Sequence, residues 1–306
     1  CVIFGGTGFV GSNFAQKLSP LAKEIVVITR DIERNKSLKM IPNLKLVPAS
    51  ISDSKTIRDI LKNTEIVVNT IGILNEFDQI NTFENIHFKF LQRLSQEIKA
   101  NKIKRFLHIS SLNAKIDQMS DYLHTKGKAE DFILNEMNSF CNTTIFRPSI
   151  VFGEEDSFFN KFAKLLKFIP IFPLACPYAR FQPIYVGDLT DFMISCISNI
   201  ETYNKRIDTV GPKIYTFSEL IKLTTKTMGI RRVIIPLNDS LSKAQAYVFQ
   251  NLPGKLFTID NYYSLQIDSV SENGYVGKTT VEQTLPNYLN IKDESEELRK
   301  KAGRKK

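Results

Sequence analysis

The stretch that decides the fold is Cys1-Val2-Ile3-Phe4-Gly5-Gly6-Thr7-Gly8-Phe9-Val10-Gly11. A short apolar run, typical of a buried strand, leads into a glycine-rich turn that satisfies both G-x-G-x-x-G and G-x-x-G-x-x-G, and a helical pattern follows. Such a turn lets the backbone approach a pyrophosphate, which the positive end of the helix binds. The alternative is a turn that only packs strand against helix. The predicted cofactor contacts are Gly5, Gly6, Thr7, Gly8, Phe9, Val10 and Gly11.

Composition indicates an ordinary globular protein. With 306 residues, 42% of them hydrophobic and 24% charged, the chain can bury the core of one large or two closely joined domains. No stretch approaches the roughly 18 apolar residues of a membrane-spanning helix, and the start does not resemble a signal peptide. Because the sequence begins with Cys1, the true N-terminus and any removed targeting segment stay undetermined.

Charge and cysteine usage exclude some classes of function. The net charge of +9 comes from scattered lysines and from a basic tail at residues 291–306, which we expect to be a solvated end. Nucleic acid is therefore not an expected partner. Four cysteines lie far apart without a C-x-x-C pair, so neither a metal site nor a disulfide framework is predicted.

Alternation of short apolar runs with amphipathic stretches predicts an α/β fold, a doubly wound parallel sheet of the NAD(P)-binding Rossmann type. After Arg147-Pro148 the pattern becomes irregular and rich in Phe and Pro. We expect a Rossmann domain at 1–148 and 183–211, and a smaller C-terminal α/β domain at 149–182 and 212–290. The predicted strands are 1–4, 24–28, 45–47, 65–69, 105–110 and 143–146, and the predicted helices are 12–18, 54–62, 85–101 and 186–200.

The end of the second predicted strand, Ile28-Thr29-Arg30-Asp31, selects between the two dinucleotides. In NAD-binding proteins an acidic residue there bonds the ribose 2′-hydroxyl. Neutral Thr29 followed by Arg30, with Arg34 and Lys36 nearby, favours the 2′-phosphate of NADP(H). NAD(H) is the alternative if Asp31 turns inward, and a third interpretation takes these as surface charges. Later strand ends are predicted to line the groove with Ser50, Ile51, Asn69 and Gly72.

A tyrosine and a lysine one helical turn apart form the candidate catalytic set with a serine. Tyr122 and Lys126 share a helix face, and an ammonium beside a phenol lowers the pKa of the phenol from about 10. Ser111, at the preceding strand end, would hold a substrate carbonyl. In the alternative interpretation these three residues only hold the cofactor ribose or cap the strand. His87, His108 and His124 lack metal-ligand spacing and are expected to pack or contact solvent.

An amphipathic stripe lies in the second half of the chain. Phe159, Phe162, Leu166 and Ile169 repeat at helical spacing, with lysines on the other side. We expect core packing against the cofactor domain. An amphipathic lid, a membrane-surface helix or a docking face are the alternatives.

Together these residues resemble the extended short-chain dehydrogenase/reductase superfamily, and within it an atypical, epimerase/dehydratase-like branch. The chain is similar to the NAD(P)-binding accessory subunits of respiratory complex I and their bacterial relatives, over nearly its whole length to about Leu289. The stretches that carry the resemblance are 105–114 (RFLHISSLNA), 146–153 (FRPSIVFG), 180–188 (RFQPIYVGD), 211–220 (GPKIYTFSEL), and Thr258-x-Asp260 with Asp268-x-Val270.

The resemblance implies tightly held NADPH and an accessory or assembly role in complex I, or a role in quinone metabolism, often without turnover. It implies partners among complex I subunits or a quinone. It also implies a peripheral contact with a membrane: a bacterial cytoplasmic or inner-membrane location, or the matrix side of a mitochondrion. By the same analogy the cofactor would also contact Arg30, Ile51, Tyr122, Lys126, Arg147 and Pro148.

Two features bear on whether the chain is an enzyme. The gap from Ser111 to Tyr122 is much shorter than in sugar-nucleotide epimerases of the superfamily, which argues against their substrate chemistry. Ser111, Tyr122 and Lys126 are nevertheless all present. An NAD(P)H-dependent oxidoreductase or epimerase acting on a small carbonyl compound or a quinone is therefore the alternative function.

Overall fold

The computed structural model describes residues 1–252 and 254–289, and the predicted basic tail at 291–306 lies outside them. The apolar runs Val2–Phe4 and Arg105–Ile109 form strands whose side chains are buried on both faces, as expected for the interior of a parallel sheet covered by helices. The strands are β1 (Val2–Phe4), β2 (Ile25–Thr29), β3 (Leu44–Pro48), β4 (Ile66–Asn69), β5 (Arg105–Ile109), β6 (Asn142–Pro148), β7 (Val151–Phe152), β8 (Ile171–Leu174), β9 (Arg180–Phe181), β10 (Ile184–Tyr185), β11 (Lys205–Val210), β12 (Tyr215–Thr216), β13 (Val233–Pro236) and β14 (Tyr275–Val276).

Eight of these strands form one sheet in the order β14-β11-β6-β5-β4-β1-β2-β3. The pairings from β3 to β11 are all parallel. β1 lies between β2 and β4, so the strand order reverses there, and in open α/β sheets ligands bind at the carboxyl end of such a switch point. The glycine-rich turn occupies this position. The predicted fold class is confirmed.

Helices α1 to α11 connect the strands. Gly8 is the N-cap of the first helix, so this helix begins three residues before the predicted Ser12. π-helical turns at Glu84–Lys89 run directly into the third helix, and Ile133–Met137 extends the fourth in the same way. The helices are α1 (Phe9–Leu18), α2 (Ser54–Ile60), α3 (Phe90–Ala100), α4 (Asp121–Phe132), α5 (Phe159–Phe168), α6 (Val186–Ser195), α7 (Phe217–Thr227), α8 (Asp239–Phe249), α9 (Ile259–Ser264), α10 (Val281–Thr284) and α11 (Pro286–Leu289).

The chain divides into two compact units. Of the described residues, the first comprises 1–148, 186–209 and 271–275, and the second comprises 149–185, 210–252, 254–270 and 276–289. These ranges differ from the predicted domain bounds at three short segments, 183–185, 210–211 and 271–275. Each segment bonds to residues of the unit in which it now falls. Ile184–Tyr185 pairs with Val151–Phe152, Gly211 donates its N–H to Gln182 O, and Ser271 Oγ donates to Asp208.

The core of the first unit lies between the sheet and helices α2, α3 and α4. Phe4 and Phe106, on alternate strands, are fully buried there with Phe90 of α3, and the rings of Phe4 and Phe90 lie 5.4 Å apart. Helix α1 packs instead against α6, where Lys17 Nζ lies 2.6 Å from Asp191. Within the described residues no helix is long and apolar enough to cross a membrane.

The second unit has its own apolar cluster, which includes three of the four residues of the predicted stripe. Phe159 and Leu166 of α5 are fully buried, with Leu220 of α7 and Leu285, and Phe162 packs against them. Ile169 follows the end of α5 and is half-buried. The predicted core packing is therefore found within the second unit's own core. Two-stranded sheets β7–β10, β8–β13 and β9–β12 complete the unit.

Arg105 is expected to stabilise the first unit from inside. Its buried guanidinium donates hydrogen bonds to the carbonyl oxygens of Asn142, Cys196 and Ile197, at 2.7 to 3.0 Å. Arg105→Met leaves these acceptors unpaired, so we expect the free energy of unfolding to fall by at least about 3 kcal/mol. Urea denaturation measures the change, with exposed Lys104→Met as the control. Equal stability of the two variants would contradict this role.

Candidate functional site

The glycine-rich turn at the carboxyl end of β1 is built so that only glycine fits. Gly5 has a φ of +77°, and a Cβ on Gly11 would lie 2.3 Å from Gly5 O, well inside van der Waals contact. The N–H of Gly8 donates to Gly5 O at 2.9 Å, closing the turn. The tight turn brings the backbone of 5–8 to the start of α1.

Thr70, at the end of neighbouring β4, fixes the other side of this turn. Both its N–H and its hydroxyl donate to Phe4 O, at 2.9 and 3.0 Å. Its Oγ1 lies only 2.7 to 2.8 Å from the positions that a Cβ on Gly11 or Gly5 would take. These contacts fix the end of β4 against the glycine turn.

At the end of β2 the acidic candidate is already bonded within its own loop. Asp31 Oδ1 accepts from the backbone N–H of Arg34 at 3.1 Å, and Oδ2 lies 3.2 Å from Arg34 Nε. Buried Thr29 Oγ1 bonds the same loop through Asp31 and Asn35. Arg30 is exposed. The carboxylate thus faces an arginine, while a second arginine points to solvent.

The two predicted residues after β3 differ in exposure. Ser50 is exposed and shares a 2.8 Å hydrogen bond with Ser52 Oγ. Ile51 is half-buried and packs against the core cluster of the first unit. Ile51 is therefore fixed by packing against the core, whereas the side chain of Ser50 bonds to a nearby serine.

Asn69 is a buried polar residue at the end of β4. Its Oδ1 accepts from Ile71 N–H at 3.1 Å, which turns its amide nitrogen toward His108 Nδ1 at 3.2 Å. The imidazole must accept there, so its proton lies on Nε2. Burial, together with the charge of Lys126, holds the pKa of His108 well below its usual range. Asn69 therefore uses both ends of its amide to position its neighbours.

His87 holds the loop after β4. Its Nε2 accepts from Ile73 N–H at 3.2 Å, and its Nδ1 lies 3.0 Å from Thr125 Oγ1 on α4. Since a backbone N–H only donates, the proton lies on Nδ1, and the ring is neutral. Burial first, and then the charge of Lys126, lower the pKa of His87 well below its ordinary value. A histidine expected only to pack thus connects two site segments.

Lys126 is the buried cation at the centre of these groups. Its Nζ donates to Ile109 O at 3.0 Å, and a Cβ on Gly72 would lie 3.3 Å from that Nζ. Burial lowers the pKa of Lys126 to about 8, against the opposing attraction of Glu130. Gly72 therefore admits the ammonium to the loop after β4, where any larger residue would crowd it.

Tyr122 stands one turn before Lys126 at the start of α4. Its half-buried ring makes edge contacts with Phe83 and His87, with ring centroids 5.8 and 5.5 Å apart. Ser120 caps the helix through Leu123 N–H at 3.3 Å. Ring packing and the cap together fix the direction of the tyrosine.

The two serines after β5 make different hydrogen bonds. Ser110 Oγ is buried and donates to Glu130 at 2.5 Å, whereas half-buried Ser111 donates to Leu112 O at 3.3 Å. Ser111, with its weaker bond and partial exposure, is thus the serine that faces outward at the strand end.

Arg147 and Pro148 both make contacts within the first unit. The Arg147 guanidinium donates to Ala114 O at 2.9 Å and lies 3.3 Å from buried Glu130. Arg206 pairs with the same carboxylate at 2.7 Å. Pro148 is buried and accepts from Leu112 N–H at 2.9 Å. The structure therefore places the side chain of Arg147 in an ion-pair network inside the unit.

Several predicted residues come together at the carboxyl ends of β1, β4 and β5, while Arg30 and Ser50 lie at the exposed ends of β2 and β3. Sequence reasoning missed Glu130, and it did not give His87 and His108 their hydrogen-bond partners. Their signal was weak because single polar residues in apolar runs gain meaning only from partners distant in sequence. Within the described residues, no group of three His, Cys, Asp or Glu side chains could hold a metal ion.

The turn fits a dinucleotide. The first backbone N–H groups of a helix have no partners within that helix, and those of α1 follow an N-cap glycine that is exposed. Together with the positive end of the helix dipole they favour a phosphate group. A side chain on Gly5 or Gly11 would fill the turn.

This fold and turn define a class of protein. The sequence profile of the NAD dependent epimerase/dehydratase family matches residues 1–208, and the chain belongs to that family. Among solved structures it resembles UDP-glucose 4-epimerase of Thermotoga maritima, with a TM-score of 0.74, 15% identity and coverage of 96% of this chain and 98% of the other. The NAD complex of the Thermus thermophilus enzyme gives a TM-score of 0.65 at 13% identity, covering 85% and 98%. At these identities the likeness shows the fold.

The curated relatives confirm the narrower resemblance. The chain is 26% identical to NADH dehydrogenase [ubiquinone] 1 alpha subcomplex subunit 9, mitochondrial, of Dictyostelium discoideum, over 87% of this chain and 74% of that protein. It is 24% identical to the NADH-ubiquinone oxidoreductase 40 kDa subunit of Neurospora crassa, over 79% and 66%. The mouse subunit 9 is 28% identical, over 72% and 59%. The matches thus span about three-fifths to three-quarters of these relatives.

Burial of the Lys126 ammonium should make the free energy of unfolding depend on pH. Its folded-state pKa is lowered from 10.5 to about 8, so between these values the unfolded chain binds a proton that the folded chain lacks. Stability must therefore rise with pH in this window. Relative to Lys126→Met, we expect the free energy of unfolding of the unsubstituted protein to increase by about 3 kcal/mol from pH 8 to pH 10.5.

Urea denaturation of both proteins across this pH range measures the difference. Exposed Lys115→Met serves as the control and should follow the unsubstituted protein. If the Lys126→Met curve also ran parallel to that of the unsubstituted protein, the ammonium would not be desolvated in the folded state.

Proposed function

We propose that this chain is an NADP(H)-binding protein that holds its dinucleotide as a structural cofactor and works as an accessory or assembly component of respiratory complex I. The observation that carries the proposal is the glycine turn at the switch point, where added side chains at Gly5 and Gly11 would collide with backbone. Membership of an NAD dependent family supports the binding of a dinucleotide. The names of the curated relatives support the role in complex I.

The preference for NADP(H) rests on the end of β2. A 2′-hydroxyl needs a carboxylate acceptor there, whereas a 2′-phosphate needs donors. Asp31 is paired with Arg34, and exposed Arg30 follows neutral Thr29. Arginine binds phosphate through two parallel hydrogen bonds. NAD(H) is the competing ligand, because the family and the Thermus thermophilus neighbour carry NAD in their descriptions.

The proposed location follows from the relatives. Their descriptions place them in mitochondria as subunits of NADH dehydrogenase. We propose the matrix side of the inner membrane, or the cytoplasmic side of a bacterial respiratory membrane, with complex I subunits as partners. A role in quinone metabolism would use the same location.

The dinucleotide released from the protein tests the proposal directly. Purified without added nucleotide and then denatured, the protein should release close to one equivalent of NADP(H) even after long dialysis. Arg30→Glu should lower the affinity for NADP(H) by about tenfold or more, because a charge-assisted bond to phosphate is lost, and should change NAD(H) affinity far less.

Exposed Lys39→Glu, in the same loop, removes a similar charge without touching the strand end and is the matched control. Release of NAD(H) alone, or equal loss of both dinucleotides in Arg30→Glu, would overturn the NADP(H) assignment. A protein free of dinucleotide that exchanges it rapidly would argue against a structural cofactor.

The second candidate function is an NAD(P)H-dependent oxidoreductase or epimerase acting on a small carbonyl compound or a quinone. It is favoured by the buried Lys126, whose pKa is lowered to about 8 one turn from Tyr122. Tyr122 would hold or give a proton at its phenol oxygen, and Lys126 would favour the phenolate. Ser111 would orient the substrate. A bound nicotinamide would supply the hydride chemistry.

Tyr122→Phe separates the two functions. For an enzyme, the rate of cofactor oxidation should fall by about a hundredfold or more, because one acid-base group contributes that much. For a cofactor-holding protein, the dinucleotide content and the melting temperature should stay unchanged and no turnover should be present to lose. Tyr178→Phe, an exposed tyrosine of the second unit, is the control. Unsubstituted protein without turnover on quinones and carbonyl compounds would exclude the enzyme for those substrates.

A further inference from the structure

Two segments of the second unit are basic and contain no acidic residue. Residues 159–174 contain three lysines, and residues 220–238 contain two lysines and two arginines, while neither segment has an Asp or Glu. Together the two segments carry five lysines and two arginines without a carboxylate to offset them. Such local separation of charge is typical of a surface that meets an anionic partner.

The fold brings the two segments together. Ile171 of β8 pairs with Val233 of β13, and Pro173 pairs with Ile235. Arg232 reaches back to α5, donating to Leu166 O at 2.5 Å and to Lys167 O at 3.0 Å. The C-terminal end of α5 and the β8–β13 ribbon therefore form one continuous surface.

The outer face of this surface is apolar. Phe172 and Ile234 pack against the core of the unit, so their neighbours along each strand point the other way. Ile171, Val233 and Ile235 are 56%, 59% and 45% exposed, and Phe168 at the end of α5 is 85% exposed. We call Phe168, Ile171, Pro173, Val233 and Ile235 the ribbon face.

Positive side chains border the ribbon face. Lys164, Lys167 and Arg231 are exposed on the adjoining ends of α5 and β13. Beside Phe168 lies a cleft with almost wholly apolar walls, and at its edge Lys161 Nζ donates to Leu256 O at 3.0 Å. The cleft is lined by Lys161, Lys164, Leu165, Phe168, Ile169 and Leu256.

We propose that the ribbon face and its basic border dock on the surface of a membrane that contains anionic phospholipids. Aliphatic and aromatic side chains gain free energy by entering the headgroup and acyl-chain boundary, and Lys and Arg are attracted to anionic headgroups and reach up to them. Nucleic acid would use the positive charge but would leave the exposed aliphatic face uncovered. The proposal does not depend on the dinucleotide, since these residues all belong to the second unit.

Vesicle sedimentation of the full chain tests the proposal. The protein should bind vesicles of phosphatidylcholine mixed with phosphatidylglycerol, bind vesicles of phosphatidylcholine alone much more weakly, and detach as salt is raised. Phe168→Glu should reduce binding by at least about tenfold, because it removes the most exposed ring and repels the headgroups. Lys164→Glu combined with Lys167→Glu should abolish the preference for anionic vesicles.

Leu21→Glu is the matched control, since Leu21 is an exposed apolar residue of the first unit, 71% exposed. It should bind vesicles like the unsubstituted protein, and all variants should keep their melting temperature and released dinucleotide. Three outcomes would overturn the proposal: no binding to anionic vesicles, unchanged binding by Phe168→Glu, or equal loss in Leu21→Glu. Binding to RNA that Phe168→Glu leaves intact, without vesicle binding, would assign the basic border to nucleic acid.

Discussion

The close approach of Gly11 to Gly5 O is the constraint on which the first unit depends. Because a Cβ on Gly11 would lie 2.3 Å from that oxygen, α1 can begin directly after β1 only with glycine at this position. This contact directs the start of α1 toward the point where the strand order reverses. Thr70 then ties β4 to the same carbonyl, Phe4 O, that closes β1. The glycine turn and the start of α1 therefore lie together at the switch point, where they form a binding site, the cradle, for an anionic group.

The same edge of the sheet carries an unusual amount of buried polarity. Asn69 bonds His108 and His87 bonds Thr125, and Lys126 nearby donates to the backbone carbonyl of Ile109. Buried polar groups are costly when unpaired and fix side-chain positions when paired. Nε2 of His108 is buried without a hydrogen-bond partner among the described residues. Both imidazoles are kept neutral by burial and by Lys126. These groups lie around the buried ammonium of Lys126, and Gly72, which has no side chain, leaves space for that ammonium.

The two units combine different chemistry. The first unit carries the family's cofactor fold, in which polar residues converge at strand ends. The second is built on an aromatic and aliphatic cluster and leaves one strand ribbon with apolar residues facing outward. The proposed cofactor binding uses the polar strand ends of the first unit, and the proposed membrane contact uses the apolar ribbon face of the second.

The sequence by itself determined the class of fold, the glycine turn and the family, because each depends on residues close together in the chain: an apolar run, three glycines and a helix start. It also gave the strand ends from which site residues come. It did not determine that Asp31 pairs with Arg34, that Arg147 belongs to the Glu130 network, or that His87 and His108 join Lys126. Tertiary structure decided these points, since a polar side chain's role follows from its partners: Arg34 is close to Asp31 in the chain, but Arg206 lies 76 residues from Glu130.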